Sequence, residues 1–285
     1  MTTLVDAGLS PLLRGFEIPP CPAVLNDLRR ELDSDDCDPR RVAQLISRDV
    51  GLSAAVIRVA NSPALALQRK AKTIGEALSL LGSRQILNLV VGELLKRLVS
   101  QENSPSLERF WDRAALSAAV CARLSGRLRG SQRDTAYCFG LFRDCGIPLM
   151  MQRFPDYKTT LQLANRASTS FTDVEDSRHG VDHAVIGYLL ARSWNLSANL
   201  CAAMRSHHEF SALYQESDSG LSVESSTLIG IGVVAERIIS LSQNASEENE
   251  WRLGRDAVSH FFSLGEGELD DIVDDELEHL RACND

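Results

Sequence analysis

Residues 182–209 read DHAVIGYLLARSWNLSANLCAAMRSHHE, and their apolar spacing sets the class of the chain. Apolar side chains recur three and four apart rather than alternating, which predicts helices over 182–194 and 197–208. Four of the six histidines fall between 179 and 208. His183 follows HGVD at 179–182, while His207 and His208 are adjacent and precede Glu209. Successive helical residues point about 100° apart, so one of that pair is expected to face inward and the other a cleft.

The same helical habit extends in both directions. Upstream, Pro19, Pro20 and Pro22 exclude a helix from a lead-in over residues 1–22, and Ala23, Leu25 and Leu28 open a short amphipathic helix. Asp38 before Pro39 is an N-cap followed by proline at the first helical position, and Asp49 can cap the next helix, which must stop by Ser62 before Pro63. A short helix over 74–81 is closed by Gly82, and a longer, mostly buried one follows from Ser83. The polar run QENSPS at 101–106 marks a boundary between an N-terminal helical part, 23–100, and a second part, 107–245. The second part reads as helices over 107–128, 135–151, 155–167 and 222–242, and residues 246–285 as two further helices. In the last helix Leu269, Ile272, Val273, Leu277 and Leu280 form one face, and Asp270, Asp271, Asp274, Asp275 and Glu278 a solvated one. With no convincing strand, the fold class is all-α.

Composition narrows the function. The chain has 285 residues, 44% hydrophobic, with 30 Lys and Arg against 39 Asp and Glu, a net charge of -9. That balance argues against strong nucleic-acid binding, which needs clustered cations; Arg123, Arg127, Arg129 and Arg133 form a modest basic stretch, read as a solvated face. No stretch approaches the roughly 18 continuous apolar residues of a membrane helix, and the N-terminus carries no secretory pattern. Seven scattered cysteines without a paired CxxC read as reduced thiols, so a cytoplasmic location is expected.

Asp144 lies in the apolar run CFGLFRDCGIPLM at 138–150, where a carboxylate needs a partner. Imidazoles and carboxylates from several helices of a bundle are a common way to hold a metal. Asp144, His183 and His207 or His208 could thus bind a divalent ion, or be satisfied by hydrogen bonds and ion pairs within helix packing. Both readings stay open on the residues alone. Trp111 and Trp194 read as core anchors, Asn61 and Ser62 as helix-terminating residues, and Cys145 as an unreactive thiol.

Several segments, in order, resemble the HDOD family, a non-catalytic relative of the HD-domain metal-dependent phosphohydrolases. They are IPPCPAVLNDL at 18–28, SRDVGLSAAVIRVANSP at 47–63, IGEALSLLGSRQILNLV at 74–90, FW at 110–111, GLFRDCG at 140–146 and the 182–209 stretch. Val50 and Ser197 stand where the family usually has proline. The resemblance implies an HD-like helical bundle with an N-terminal helical subdomain. It also implies vestigial positions of the HD metal site at Arg113, Arg143, Asp144, His183, His207, His208 and Glu236. Arg143 stands where the His of the His-Asp doublet would be, Arg113 where an early His would be, and Glu236 near the late Asp. A guanidinium only donates hydrogen bonds and cannot coordinate a cation. The expectation is that Arg113 and Arg143 replace the metal electrostatically by pairing with Asp144 and Glu236.

The resemblance therefore implies a bacterial signal-transduction module that acts through a protein partner, without catalytic residues, metal or other cofactor. The alternative is a phosphohydrolase acting on a nucleotide or cyclic nucleotide. It would use Mn, Mg or Fe at Asp144, His183, His207 and His208.

Overall fold

In the computed structural model, residues 16–62, 65, 69–99, 105–128, 130–214, 220–243 and 249–282 are described. Residues 1–15 of the lead-in, 101–104 of the polar boundary, and Arg129 lie outside them. The described residues form helices joined by turns and contain no strand.

The first part consists of α1 (Ala23–Leu32), α2 (Pro39–Ser47), α3 (Val50–Ala60) and α4 (Ile74–Val99). Asp38 accepts from the Arg40 N–H and Asp49 from the Leu52 N–H, each at 2.8 Å, so α2 and α3 start where the sequence places their caps. Asn61 follows α3 and staples the next loop, bonding the Ala71 carbonyl at 2.8 Å and the Ala71 N–H at 2.7 Å. Within α4, Gly82 has φ 79 and ψ 163, a conformation open essentially to glycine alone. The element is thus two helices meeting at a kink, as the closing glycine predicts.

The second part comprises α5 (Pro105–Leu124), α6 (Arg133–Phe142), α7 (Gly146–Arg153), α8 (Tyr157–Ala164), α9 (Phe171–His179), α10 (His183–Ser193) and α11 (Ala198–Arg205). After a 3₁₀ turn at Phe210–Leu213 come α12 (Val223–Ser242), α13 (Asn249–Phe262) and α14 (Glu268–Ala282). By length and composition α12 could cross a membrane, but 78% of its apolar window is buried in the fold. It packs against α5, α6, α11, α13 and α14 and forms the axis of this part.

Three features depart from the sequence reading. The apolar stretch 135–151 is not one helix; it breaks at Arg143–Cys145, between α6 and α7. Pro148 has no N–H for the Asp144 carbonyl and its ring crowds that carbonyl, while Gly146 lets the new helix pack close, since a Cβ there would lie 2.0 Å from the His183 carbonyl oxygen. Helix α11 ends at Arg205, not 208, so His207 and His208 lie in a turn. Helix α9 gave no apolar signal, because it buries only Phe171 and Glu175. Polar chemistry bounds it instead: Asp173 accepts from the Ser170 N–H at 3.2 Å, and Gly180 ends it at φ 71.

The parts are closely joined. A Cβ on Gly92 of α4 would come within 2.6 Å of Leu141 on α6. The Trp194 indole donates to the Pro19 carbonyl at 2.9 Å, and Arg29 donates to the Trp194 carbonyl, strapping the lead-in to α10. Trp111 and Trp194 are both buried. In α14 the acidic face is exposed as read, but Glu276 turns inward to meet Arg123 at 2.8 Å and Arg127 at 3.6 Å. Asp275 meets Arg127 at 2.7 Å, so these two arginines of the basic stretch are engaged within the chain.

The α7–α10 contact yields a direct test. Gly146→Ala forces a methyl against backbone, which cannot rotate away, so we expect a loss of about 3 kcal/mol, the upper end for overpacking. Urea unfolding followed by circular dichroism measures it; an unchanged midpoint would contradict the packing described.

Candidate functional site

The break between α6 and α7, the start of α10, the turn after α11, and faces of α5, α12 and α13 surround a cavity of about 490 Å³. Arg113, Arg143, Asp144, His183, His207, His208 and Glu236 all line it. They are brought from positions 123 residues apart in the chain, Arg113 to Glu236. Aromatic side chains, among them Phe110, Phe171, Phe210 and Trp251, form much of the remaining wall.

One side of the cavity is built of imidazoles. His183 Nε2 lies 3.3 Å from His207 Nε2 and 3.3 Å from His208 Nε2. Asp144 Oδ1 lies 3.2 Å from His207 Nε2 and 3.5 Å from His183 Nε2. These four ligand atoms all fall within 4.8 Å of one another, a grouping able to hold a metal ion. Both adjacent histidines therefore face the cleft. The turn allows what a continuous helix would not: His207 Nδ1 bonds back to the Met204 carbonyl at 2.8 Å, which swings its Nε2 toward Asp144.

The other side is built of guanidinium groups. Arg113 Nη2 donates to Glu236 Oε1 and Arg143 Nη2 to Glu236 Oε2, so each carboxylate oxygen takes one cation. Arg143 Nη1 also donates to the Gly232 carbonyl at 3.0 Å, and Arg113 Nη1 to Gln243 at 2.7 Å. Arg143 Nε lies 3.1 Å from Asp144 Oδ2, close enough for an ion pair but without hydrogen-bond geometry. Asp144 thus joins the two sides, with Oδ2 toward the arginine and Oδ1 toward the histidines.

The electrostatics follow from this division. Burial opposes charge on Asp144, but Arg143 and the hydrogen bonds from His183 and His207 hold its carboxyl well below the usual range. Burial also opposes charge on His183; Glu175 and Asp144 overcome it and push the imidazole up to about 10. His207 moves the other way, down to about 4, through burial and the neighbouring His208. Burial pushes the Cys145 thiol up, which favours the thiol over the thiolate beside Asp144.

Two carboxylates behind the histidines had no visible role in the sequence. Glu175, fully buried on α9, accepts from His183 Nδ1 at 2.7 Å, from the His183 N–H at 3.1 Å and from the Tyr157 hydroxyl. Glu250 on α13 pairs with His208 Nδ1 at 2.6 Å and accepts from the Phe171 N–H at 3.1 Å. Glu175 could be suspected from its place eight residues before His183. Glu250 lies beyond the stretch read as the HD-like part, so α13 is a wall of the site rather than an appendage.

The arginine side predicts an asymmetry between variants. Removing Glu236 leaves Arg143, only 7% exposed, with Asp144 as its one remaining carboxylate partner among the described residues. We expect Glu236→Ala to cost about 3–5 kcal/mol, the usual range for breaking one partner of a buried pair. Replacing both charges, as in Arg143→Met with Glu236→Leu, should recover most of that loss. A double-mutant cycle on unfolding free energies checks this, and equal losses in both variants would contradict it.

Comparison with known proteins places the chain in a family. An HDOD domain family model matches residues 18–210. An uncharacterized protein of Treponema pallidum is 26% identical over 212 residues, covering 73% of this chain but only 40% of that protein. Among solved structures, an HDOD domain protein of unknown function from Geobacter sulfurreducens superposes with a TM-score of 0.70 at 19% identity, covering 98% of this chain and 97% of its own. A protein of Shewanella amazonensis, named provisionally as a phosphohydrolase, gives 0.71 at 21% identity over 96% and 94%. One of Marinobacter aquaeolei, named provisionally for signal transduction, gives 0.70 at 19% identity over 97% and 63%. These likenesses establish a shared fold, and with two thirds of its length matched by the family model, the chain belongs to the HDOD domain family.

Proposed function

We propose that this chain is a non-catalytic regulatory module of a bacterial signalling pathway, acting through contacts with a protein partner. The observation that carries the reading is the Arg113–Glu236–Arg143 cluster. It occupies the positions that, by the HD resemblance, would hold a catalytic metal. Two guanidinium groups supply positive charge there but have no vacant orbital to bind water or a phosphoryl oxygen. A guanidinium at this position does not lower the pKa of a water as a bound metal would. Family membership and the provisional naming of the Marinobacter aquaeolei protein for signal transduction point the same way.

The imidazole side of the cavity favours the hydrolase alternative, and a single screen separates the two. Purified protein is assayed with Mn, Mg or Fe(II) against phosphomonoesters, phosphodiesters and cyclic nucleotides. We expect no turnover above the metal-only blank. Turnover abolished by Asp144→Ala would overturn the regulatory reading. A companion variant tests the electrostatic replacement: Arg113→His with Arg143→His removes two positive charges and supplies two neutral donors. It should bind one more divalent ion per chain than the parent under the same loading; an unchanged metal content would show that the arginines do not stand in for a cation.

A further inference from the structure

Apolar side chains give the cavity a second character beside its ionic one. Phe110, Ile147, Leu161, Phe171, Val233 and Trp251 line it from six helices, α5, α7, α8, α9, α12 and α13 in that order. Its volume of about 490 Å³ falls in the range of sites that enclose small organic molecules. Several of the rings are set in place by their neighbours. Arg237 and Arg255, which do not line the cavity, hold their guanidinium carbons 5.6 and 5.8 Å from the Trp251 ring centroid. Phe210 rests on Gly254, where a Cβ would come within 3.2 Å of the ring. Phe171 and His208 form a stacked pair, 12° from parallel with centroids 5.5 Å apart. Walls fixed in this way need little further ordering when a molecule binds against them.

The charges select the class of occupant. Each Arg, Asp and Glu that lines the cavity is already paired: Glu236 with Arg113 and Arg143, Asp144 with Arg143, and Glu250 with His208. A phosphate or carboxylate entering the cavity must break one of these pairs or stand beside Asp144, Glu236 or Glu250. An ammonium group meets Arg113 or Arg143 in the same way. Either leaves a charge unmatched in a partly buried site, which is unfavourable. An uncharged molecule disturbs none of the pairs. Phe110, Phe171, Phe210 and Trp251 favour rings over aliphatic chains, because offset and edge-on aromatic contacts add to the gain from buried area. Asn165 lines the cavity yet is exposed, so it stands at the mouth and offers an amide that both donates and accepts.

We infer that the cavity binds one uncharged aromatic compound of about two or three rings, carrying no phosphate, carboxylate or ammonium group. Seated there, it touches six helices of the second part at once and ties α5, α7, α8 and α9 to α12 and α13. This goes beyond the regulatory reading and stands without it, because enclosing a ring compound requires neither a protein partner nor the absence of turnover.

Two dyes with the same ring system separate charge from shape. Phenylnaphthylamine is uncharged, and anilinonaphthalene sulfonate adds one sulfonate to the same rings; both brighten in apolar surroundings. Each is titrated into the full chain and followed by fluorescence. We expect the uncharged dye to saturate at one molecule per chain and the sulfonate to bind more than about 10-fold more weakly. Val233→Phe, which fills the cavity from α12, should remove the saturable binding. Should that variant fail to fold by circular dichroism, Leu161→Trp decides in the same way from the less buried wall on α8. A folded parent that shows no saturable binding of the uncharged dye overturns the inference. Equal affinity for the sulfonate does so as well, as does unchanged binding in a folded filling variant, which would place the dye outside the cavity.

Discussion

The site is organised around one partly buried carboxylate whose two oxygens face opposite chemistries. Asp144 presents Oδ2 to a guanidinium and Oδ1 to two imidazoles. A charge in that setting is tolerable only when matched on every side. The backbone answers that demand. The helix is interrupted by a turn at Arg143–Cys145, and Gly146 allows α7 to press against α10, which brings His183 under Asp144. Gly232 serves the other side: a Cβ there would stand 3.3 Å from Arg143 Nη1, on the residue whose carbonyl Arg143 binds.

The polar groups around Asp144 form two chains of hydrogen bonds that end on different helices. One runs from Tyr157 through Glu175 to His183, and the other from the Phe171 N–H through Glu250 to His208. Burial opposes charge on each intermediate carboxylate, but the imidazole it contacts, together with its other hydrogen bonds, lowers it below its usual value. Orientation of the histidines is therefore fixed from outside the cavity, and α9 and α13 become part of the site although neither carries one of its clustered histidines. The family match ends at residue 210, while Glu236, Glu250 and Trp251 of the cavity wall lie beyond it.

How much of this was legible in the sequence depended on the kind of signal. Caps and glycine breaks at Asp38, Asp49 and Gly82 act locally, through one hydrogen bond or one backbone angle, and the structure has them in place. Helix α9 was invisible because its buried face carries a carboxylate where periodicity looks for an aliphatic side chain. The ends of α6 and α11 were misplaced for a related reason. Apolar spacing continues through Arg143–Cys145 and up to His208, but the chain stops being helical where it must deliver a side chain to the cavity. The meeting of Arg113, Arg143 and Glu236 came from family resemblance, since no pattern within the chain links positions so far apart. Glu250 had neither kind of signal: it lies in an ordinary charged helical turn, and only the fold brings it to His208.

Charge arithmetic connects the arginine cluster to the fold it sits in. Arg113 and Arg143 carry two positive charges, and Glu236 and Asp144 two negative ones, so the cluster is as neutral as two carboxylates around a divalent ion. Electrostatically the helices lose nothing by the exchange, and the directed donors of a guanidinium hold Glu236 more rigidly than a spherical ion would. Chemically the exchange is complete, because a guanidinium offers no site for water and cannot be deprotonated to make one. Its guanidinium, buried between Asp144 and Glu236, is held even more firmly in the charged form than an exposed arginine. On this side of Asp144 the guanidinium pair thus supplies positive charge without itself being a Lewis acid. On the other side the rings differ: Glu175 and Asp144 push His183 up to about 10, while burial and His208 push His207 down to about 4.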